Sequence, residues 1–258
     1  PSDTNLTWTE DDPHNIVYAD HWYDGITLSV KQFREWLAAD AERLRLYLGK
    51  KQARRSFFNQ INRFKQRSKT NFRNAPVLVG ETGIPFDLSN KRAYQTGDFT
   101  EQIKALDATM SAMEQNLVSF TLWNYTADNS NTHGDLWNDE DFSLYSPDQK
   151  TGTGSLDDGG RVLMAAVRPY AMKTSGKPLS QSFAIKTQEY HFSFMSDRTI
   201  SAPTEIFIPT CQYPQGLIIR VSDGKYHYQP DKQLLLYFAS NETEQHSITI
   251  IPTRIKPL

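Results

Sequence analysis

Apolar positions fall into two regimes along the chain. Up to about residue 175, short apolar runs alternate with stretches whose apolar residues recur every three or four positions. Asn15 to Ala19 reads as a strand, closed by the polar and glycine residues of His21 to Gly25. Phe33, Trp36, Leu37, Ala41, Leu44 and Leu48 share one face at helical spacing and predict an amphipathic helix with Gly49 as its C-cap. Phe57, Phe58, Ile61 and Phe64 predict a second helix. Pro76 to Val79 is a short buried strand, after which Gly80, Glu81, Gly83 and Pro85 turn the chain away. Asp98 and Glu101 have the spacing of a capping box before a helix marked by Ile103, Leu106, Met110 and Met113. Leu117 to Trp123 is another buried strand, ending at Trp123, Asn124 and Tyr125. A long polar loop from Thr126 to about Gly160 follows, of a length usually reserved for function. Arg161 to Tyr170 reads as one more helix, stopped at Pro169.

Strands alternating with helices imply a parallel sheet with crossover connections, an α/β fold. Only three such strands are present, whereas a closed (β/α)8 TIM barrel takes about 250 residues. Residues 1–175 therefore read as the last third of a barrel or as a small open sheet. Residues 176–258 have a different texture. Tyr190, Phe192 and Phe194 alternate with polar residues, as do Tyr226 and Tyr228 after the Asp223-Gly224 turn. Leu217 to Ile219 and Leu234 to Leu236 are further buried-strand candidates. Short strands between Pro and Gly turns predict a small antiparallel β-sandwich.

Composition narrows the function classes. The 258 residues are 38% apolar and 12% aromatic with a net charge of −2, enough for a core and without a field that would draw nucleic acid. No apolar run is long enough for a membrane helix. The single cysteine, Cys211, permits no internal disulfide and argues against a cysteine zinc site. The polar N-terminus does not look like a signal peptide and does not start with Met, so a processed or longer chain is expected. From Arg43 to Gly80 there are eleven Lys and Arg and no acid. That run reads as a solvated outer helix or as a surface for anionic lipid headgroups.

Three strand ends line up: His21-Trp22-Tyr23, Glu81, and Trp123-Asn124. A carboxylate at the C-terminal end of a buried strand is where a β/α barrel keeps its chemistry, although an ordinary turn would place one there too. His21, Tyr23 and Trp123 are each compatible with packing roles as well. In order and spacing these strand ends resemble glycoside hydrolase family 5, the retaining β-glycosidases on a (β/α)8 barrel. The stretches GETGIPFD, LWNYTADNSNTHGDLWNDEDFSLYS and VRPYAMKTSGKP narrow the resemblance to the endoglycoceramidase-related branch, especially its fungal glucosylceramidase and sterylglucosidase group.

The resemblance implies that Glu81 is the nucleophile, with Tyr23 and His21 beside it and Trp123 as a platform for a sugar ring. Asn124, Trp22, Asp135, Trp137 and Glu140 are the expected substrate contacts, Asp135, Trp137 and Glu140 from the long loop. It also implies a retaining β-glucosidase acting on a membrane glycolipid, a steryl glucoside first and glucosylceramide second. Trp22, Ile84, Phe86, Tyr125, Phe142 and Leu144 are the expected apolar material for the aglycone. The family's acid/base is a Glu after an Asn. Here Asn241-Glu242 lies in the wrong region, so the acid/base is expected from an N-terminal half of the same enzyme. No cofactor and no metal are expected: His133 and Asp135 alone make no metal site, and Gly152-x-Gly154 is no dinucleotide fingerprint. Expected partners are the glycolipid, that N-terminal half and a peripheral membrane surface, with no nucleic acid. An intracellular location follows, cytoplasmic or vacuolar. A reading from another class is a non-catalytic carbohydrate- or lipid-binding module.

Overall fold

The computed structural model describes residues 6–254 and divides into two compact units, Pro1–Val162 and Leu163–Leu258. In the first, β1 (Tyr18–His21), β4 (Val77–Thr82) and β5 (Ser119–Leu122) form a three-stranded sheet in the order β1-β4-β5, with both pairings parallel. Parallel neighbours need crossovers. The first crossover contains α1 (Gly25–Val30), the strands β2 (Leu37–Asp40) and β3 (Arg45–Leu48), and α2 (Lys50–Asn71). The second contains α3 (Leu88–Thr96) and α4 (Thr100–Asn116).

The core of this unit is aromatic. Phe57, Ile61 and Phe64 of α2 pack with Tyr18, Trp22, Val79 and Met113. Tyr18 stacks on Phe72 at 4.5 Å, and Trp22 meets Phe57 edge-on at 5.1 Å. α1 was not foreseen. Asp24 caps it, accepting from Ile26 N at 3.3 Å and from the Thr27 hydroxyl at 2.5 Å. Before α4, whose N-cap is Phe99, Asp98 accepts from Thr100 N at 2.9 Å. Glu101 does not close the box but accepts from Phe33 N at 2.8 Å.

The largest departure is at residues 33–48, an antiparallel hairpin and not a helix. Leu37 faces Leu48 and Ala39 faces Leu46 across it. A four-residue spacing such as Leu44 to Leu48 is also a multiple of two, so it fits a strand as well as a helix. The alternation Arg43-Leu44-Arg45-Leu46-Tyr47-Leu48 was the strand signal. Ala38 is buried and Tyr47 packs on the core, while Leu44, Leu46 and Leu48 stay exposed. Gly49, read as a C-cap, is instead the residue from which α2 starts.

The basic run is also less bare than its sequence. Lys50 pairs with Glu35 at 2.6 Å, Arg54 with Asp107 at 2.5 Å, Arg63 with Asp40 at 2.7 Å and Arg67 with Glu42 at 2.7 Å. The acids come from outside the run. Among the described residues no helix is long and apolar enough to cross a membrane.

The second unit begins earlier than the composition change near 175. The stretch read as a helix over 161–170 is helical only in α5 (Leu163–Ala166), and β6 (Tyr170–Lys173) then joins a sheet. β6 pairs antiparallel with a strand far along the chain, which ties it to this unit. The other strands are β7 (Gly176–Ala184), β8 (Glu189–Ser196), β9 (Thr204–Phe207), β10 (Leu217–Val221), β11 (Lys225–Gln229), β12 (Leu234–Phe238) and β13 (Gln245–Pro252). They form two four-stranded antiparallel sheets, β10-β13-β8-β7 and β11-β12-β9-β6. Tyr190, Phe192 and Phe194 are buried as the alternation required, whereas Tyr226 is exposed. The sheets meet where Phe194 of β8 lies edge-on to Tyr237 of β12 at 6.0 Å.

A polar staple sits beside that contact. The fully buried His246 places Nδ1 2.9 Å from Asp223 Oδ2 and Nε2 3.1 Å from the Ser196 hydroxyl. Asp223 also accepts from Ser240 N and from the Tyr237 hydroxyl. Burial opposes ionisation of Asp223. The hydrogen bonds from Ser240, His246 and Ser222 outweigh it and hold the carboxyl well below its usual range. The Tyr237 phenol is pushed up to about 12, by burial first and then by Asp223.

Two predictions follow from these contacts. Trp22→Ala should cost about 3–5 kcal/mol in chemical denaturation by emptying the aromatic core, whereas Trp137→Ala should stay within about 0.5 kcal/mol. Because the folded-state value of Asp223 is depressed, its contribution to stability is complete above the ordinary carboxylate value of about 3.9. It is lost as pH falls through the lower folded value. Asp223→Asn should therefore melt lower than the parent at neutral pH, with the gap closing in strong acid. A constant gap across an acid titration of the melting temperature would contradict this.

Candidate active site

The two parallel pairings bring the ends of β1, β4 and β5 side by side. His21 lies opposite Glu81 in the register, where β1 carries an irregularity after Asp20. Irregular pairing next to a functional site re-aims side chains. Glu81 falls within β4, not beyond it as read from the sequence, and its carbonyl accepts from Trp22 N at 3.0 Å. Trp123 N donates to Thr82 O at 2.7 Å and fixes the neighbouring strand end.

These constraints assemble the expected cluster. The Tyr23 hydroxyl donates to Glu81 Oε1 at 2.5 Å, and His21 Nδ1 lies 3.6 Å from Glu81 Oε2. Trp123 Nε1 donates to Glu140 Oε2 at 3.3 Å. Burial, the bond to Glu81 and the charges of Glu81 and Glu140 all push the Tyr23 phenol upward. Tyr23 therefore stays protonated and remains a donor to Glu81. The side chain of Glu81 keeps 28% exposure and that of His21 62%, so reagents can reach both.

The other expected contacts divide. Trp22 is a core residue: it is 7% exposed, packs on Phe57 and donates through Nε1 to Gln60 at 3.1 Å. It packs into the core just past the end of β1, while its neighbours His21 and Tyr23 reach Glu81. Asp135 is buried inside the loop, accepting from Asn129 Nδ2 at 2.7 Å, Phe142 N at 2.7 Å and Asn124 Nδ2 at 3.1 Å. It organises the loop. Asn124 is correspondingly tied to Asp135. Ile84, Phe86 and Phe142 are also buried, so they offer no open apolar wall. Leu136, Trp137 and Leu156 of the loop are exposed, as is Tyr125 just before it.

Sequence reasoning missed what holds the loop. Arg161 is buried and pairs with Asp141 at 2.8 Å, reaches Ser143 O at 2.7 Å and lies 4.0 Å over the ring of Phe86. Tyr94 donates to the same Asp141. The loop in turn carries Phe142, whose ring stands edge-on to Tyr23 at 5.8 Å. A lone Arg at the end of a polar loop gives no sequence signal for this. Among the described residues no group of His, Cys, Asp and Glu could hold a metal ion.

Gly83 marks the closest approach of two strand ends. A Cβ there would lie 2.3 Å from Trp123 O, which is backbone and cannot swing aside. Gly83→Ala should therefore lower the melting temperature and change the near-UV signal of Trp123. An unchanged near-UV spectrum would show that the contact is not required.

Residues 168–250 match the Glycoside hydrolase family 5 C-terminal domain. A glucosylceramidase of Rhizopus delemar is 37% identical over 249 residues, covering 88% of this chain and 36% of that protein. An ergosteryl-beta-glucosidase of Saccharomyces cerevisiae is 30% identical, covering 87% of this chain and 38% of that protein. The crystal structure of Cryptococcus neoformans sterylglucosidase 1 superimposes with a TM-score of 0.85 at 28% identity, covering 93% of this chain and 39% of that one. The chain thus spans less than two fifths of the length of each of these three. In sequence and in fold it resembles glycoside hydrolase family 5, in the branch that holds fungal glucosylceramidases and sterylglucosidases.

Proposed function

We propose that this chain is part of a retaining β-glucosidase that removes glucose from a membrane glycolipid. The observation that carries the reading is the Tyr23 hydroxyl on Glu81 Oε1, at the end of a parallel sheet with Trp123 on the next strand. Tyr23 holds Oε1, leaving Oε2 to attack the anomeric carbon. The glucosidic C–O bond breaks, and the aglycone leaves with a proton from a second carboxylic acid. Water, deprotonated by that same group, then attacks the anomeric carbon and frees Glu81. Retention needs the two carboxyl groups about 5–5.5 Å apart. We assign the acid/base to a segment outside this chain, which would complete the barrel of which β1, β4 and β5 form the final arc. The two antiparallel sheets are then the β-sandwich that follows it.

In this reading His21 and Glu140 bind sugar hydroxyls, and Trp123 stacks on the pyranose face. Asn124 contributes by fixing the loop beside Trp123. An apolar aglycone fits better than a second sugar, because Leu136 and Trp137 are exposed on that loop and Tyr125 just before it. Each aglycone CH2 taken from water contributes about 0.8 kcal/mol. A steryl glucoside is the first choice and glucosylceramide the second. The full-length protein carrying Glu81→Gln should lose hydrolysis by several orders of magnitude, and a 2-deoxy-2-fluoro-glucoside should label Glu81. Comparing kcat/KM on steryl glucoside, glucosylceramide and cellotetraose tests the aglycone. A winning cellotetraose leaves a plain endoglucanase, and no turnover of any of the three favours a binding module.

A further inference from the structure

We propose that the groove between α2 and α4 is a binding site for a phosphate group, carried by an anionic phospholipid or free in solution. The groove encloses about 420 Å3. Lys51, Arg54 and Arg55 line it from α2 at three- and four-residue spacing together with Phe58, and Ala108 and Ala112 of α4 line it from the other helix. No acid lines it. Ala108 and Ala112 are too small to fill the groove, which larger side chains at these positions would occupy.

Arg54 carries the chemical argument. Its NH2 group is anchored on the buried Asp107 at 2.5 Å, which fixes the guanidinium against the groove. Its Nε is buried and has no acceptor. A buried donor without a partner is costly, so a small shift of the guanidinium toward an acceptor in the groove would be favoured. Lys51 and Arg55 are exposed beside it, and Arg55 lies 5.5 Å over the Phe58 ring. A planar guanidinium with two flanking cations matches phosphate oxygens in geometry and charge. The first turn of α2 adds to this, since it contains no acid and its N-cap residue is Gly49, without a side chain to cap it.

The placement bears on how the protein meets a membrane. α2 runs back from the end of β1 to the start of β4, so its first turns lie toward the end of the sheet that carries Glu81. A headgroup in the groove would hold that end toward the bilayer. This orienting role rests on the glycolipid reading, but the phosphate site itself does not.

The test uses the full-length protein, with inorganic phosphate and glycerophosphate in calorimetry. Co-sedimentation uses phosphatidylcholine vesicles with and without phosphatidylserine. The expected result is binding to phosphate and a preference for the anionic vesicles. The exposed pair Lys51→Gln/Arg55→Gln should weaken both by about tenfold or more. Arg54→Lys keeps the partner of Asp107 while removing the Nε donor, and should weaken phosphate binding with an unchanged melting temperature. Hydrolysis of a soluble aryl β-glucoside should not change in any variant. If glycerophosphate displaces the protein from vesicles, the ligand is the lipid headgroup. If free phosphate binds and anionic vesicles do not, the ligand is the soluble ion. Binding to neither, or binding indifferent to the three substitutions, overturns the proposal. Lost aryl glucoside hydrolysis in the parent protein would instead count against the enzyme reading alone.

Discussion

The buried pair of Arg161 and Asp141 is the constraint on which the site depends. A charge pair taken from water is often no more stabilising than apolar packing, but losing one partner strands the other at about 3–5 kcal/mol. What such a pair contributes is one arrangement. Arg161 can satisfy its fork only where Asp141, Ser143 O and the face of Phe86 meet. That fixes the loop end to end, because Asn129 spans from Asp141 to Asp135 and Asp135 receives Phe142 N. Phe142 then stands against Tyr23, and Tyr23 against Glu81. A loop of this length would otherwise place Glu140 and Phe142 only on average.

Along this path the chemistry moves from a charged interior to a solvent-open carboxylate. The inner charged groups Arg161, Asp141 and Asp135 are held by protein partners, while Glu81 and His21 keep exposed surface. Rigidity thus comes from the loop and the reacting group from the strand, the division expected of a site built on regular elements.

The three parallel strands were readable because buried strands leave short apolar runs bounded by Gly and Pro, as at Val77 to Gly83. The site residues were readable because they sit at the ends of those runs. Trp22 is buried although it sits between His21 and Tyr23, because proximity in sequence says nothing of face. The hairpin carries a helical signal because Ala, Leu, Arg and Glu favour helix and a four-residue repeat satisfies both periods. Asp135, Asn129 and Arg161 left no pattern at all, since partners in an irregular loop follow no period.

That hairpin has a consequence for how the molecule comes into being. Residues 36–48 are rich in helix formers but are held as two strands by contacts to α2, with Asp40 on Arg63 and Glu42 on Arg67. A segment whose local preference opposes its final shape has no reason to adopt that shape alone. On an emerging chain it would coil first and unwind into strands only once Arg63 and Arg67 are in place. The second half of α2 therefore acts as a template for residues made before it, and the hairpin is among the last parts of this unit to gain protection from hydrogen exchange.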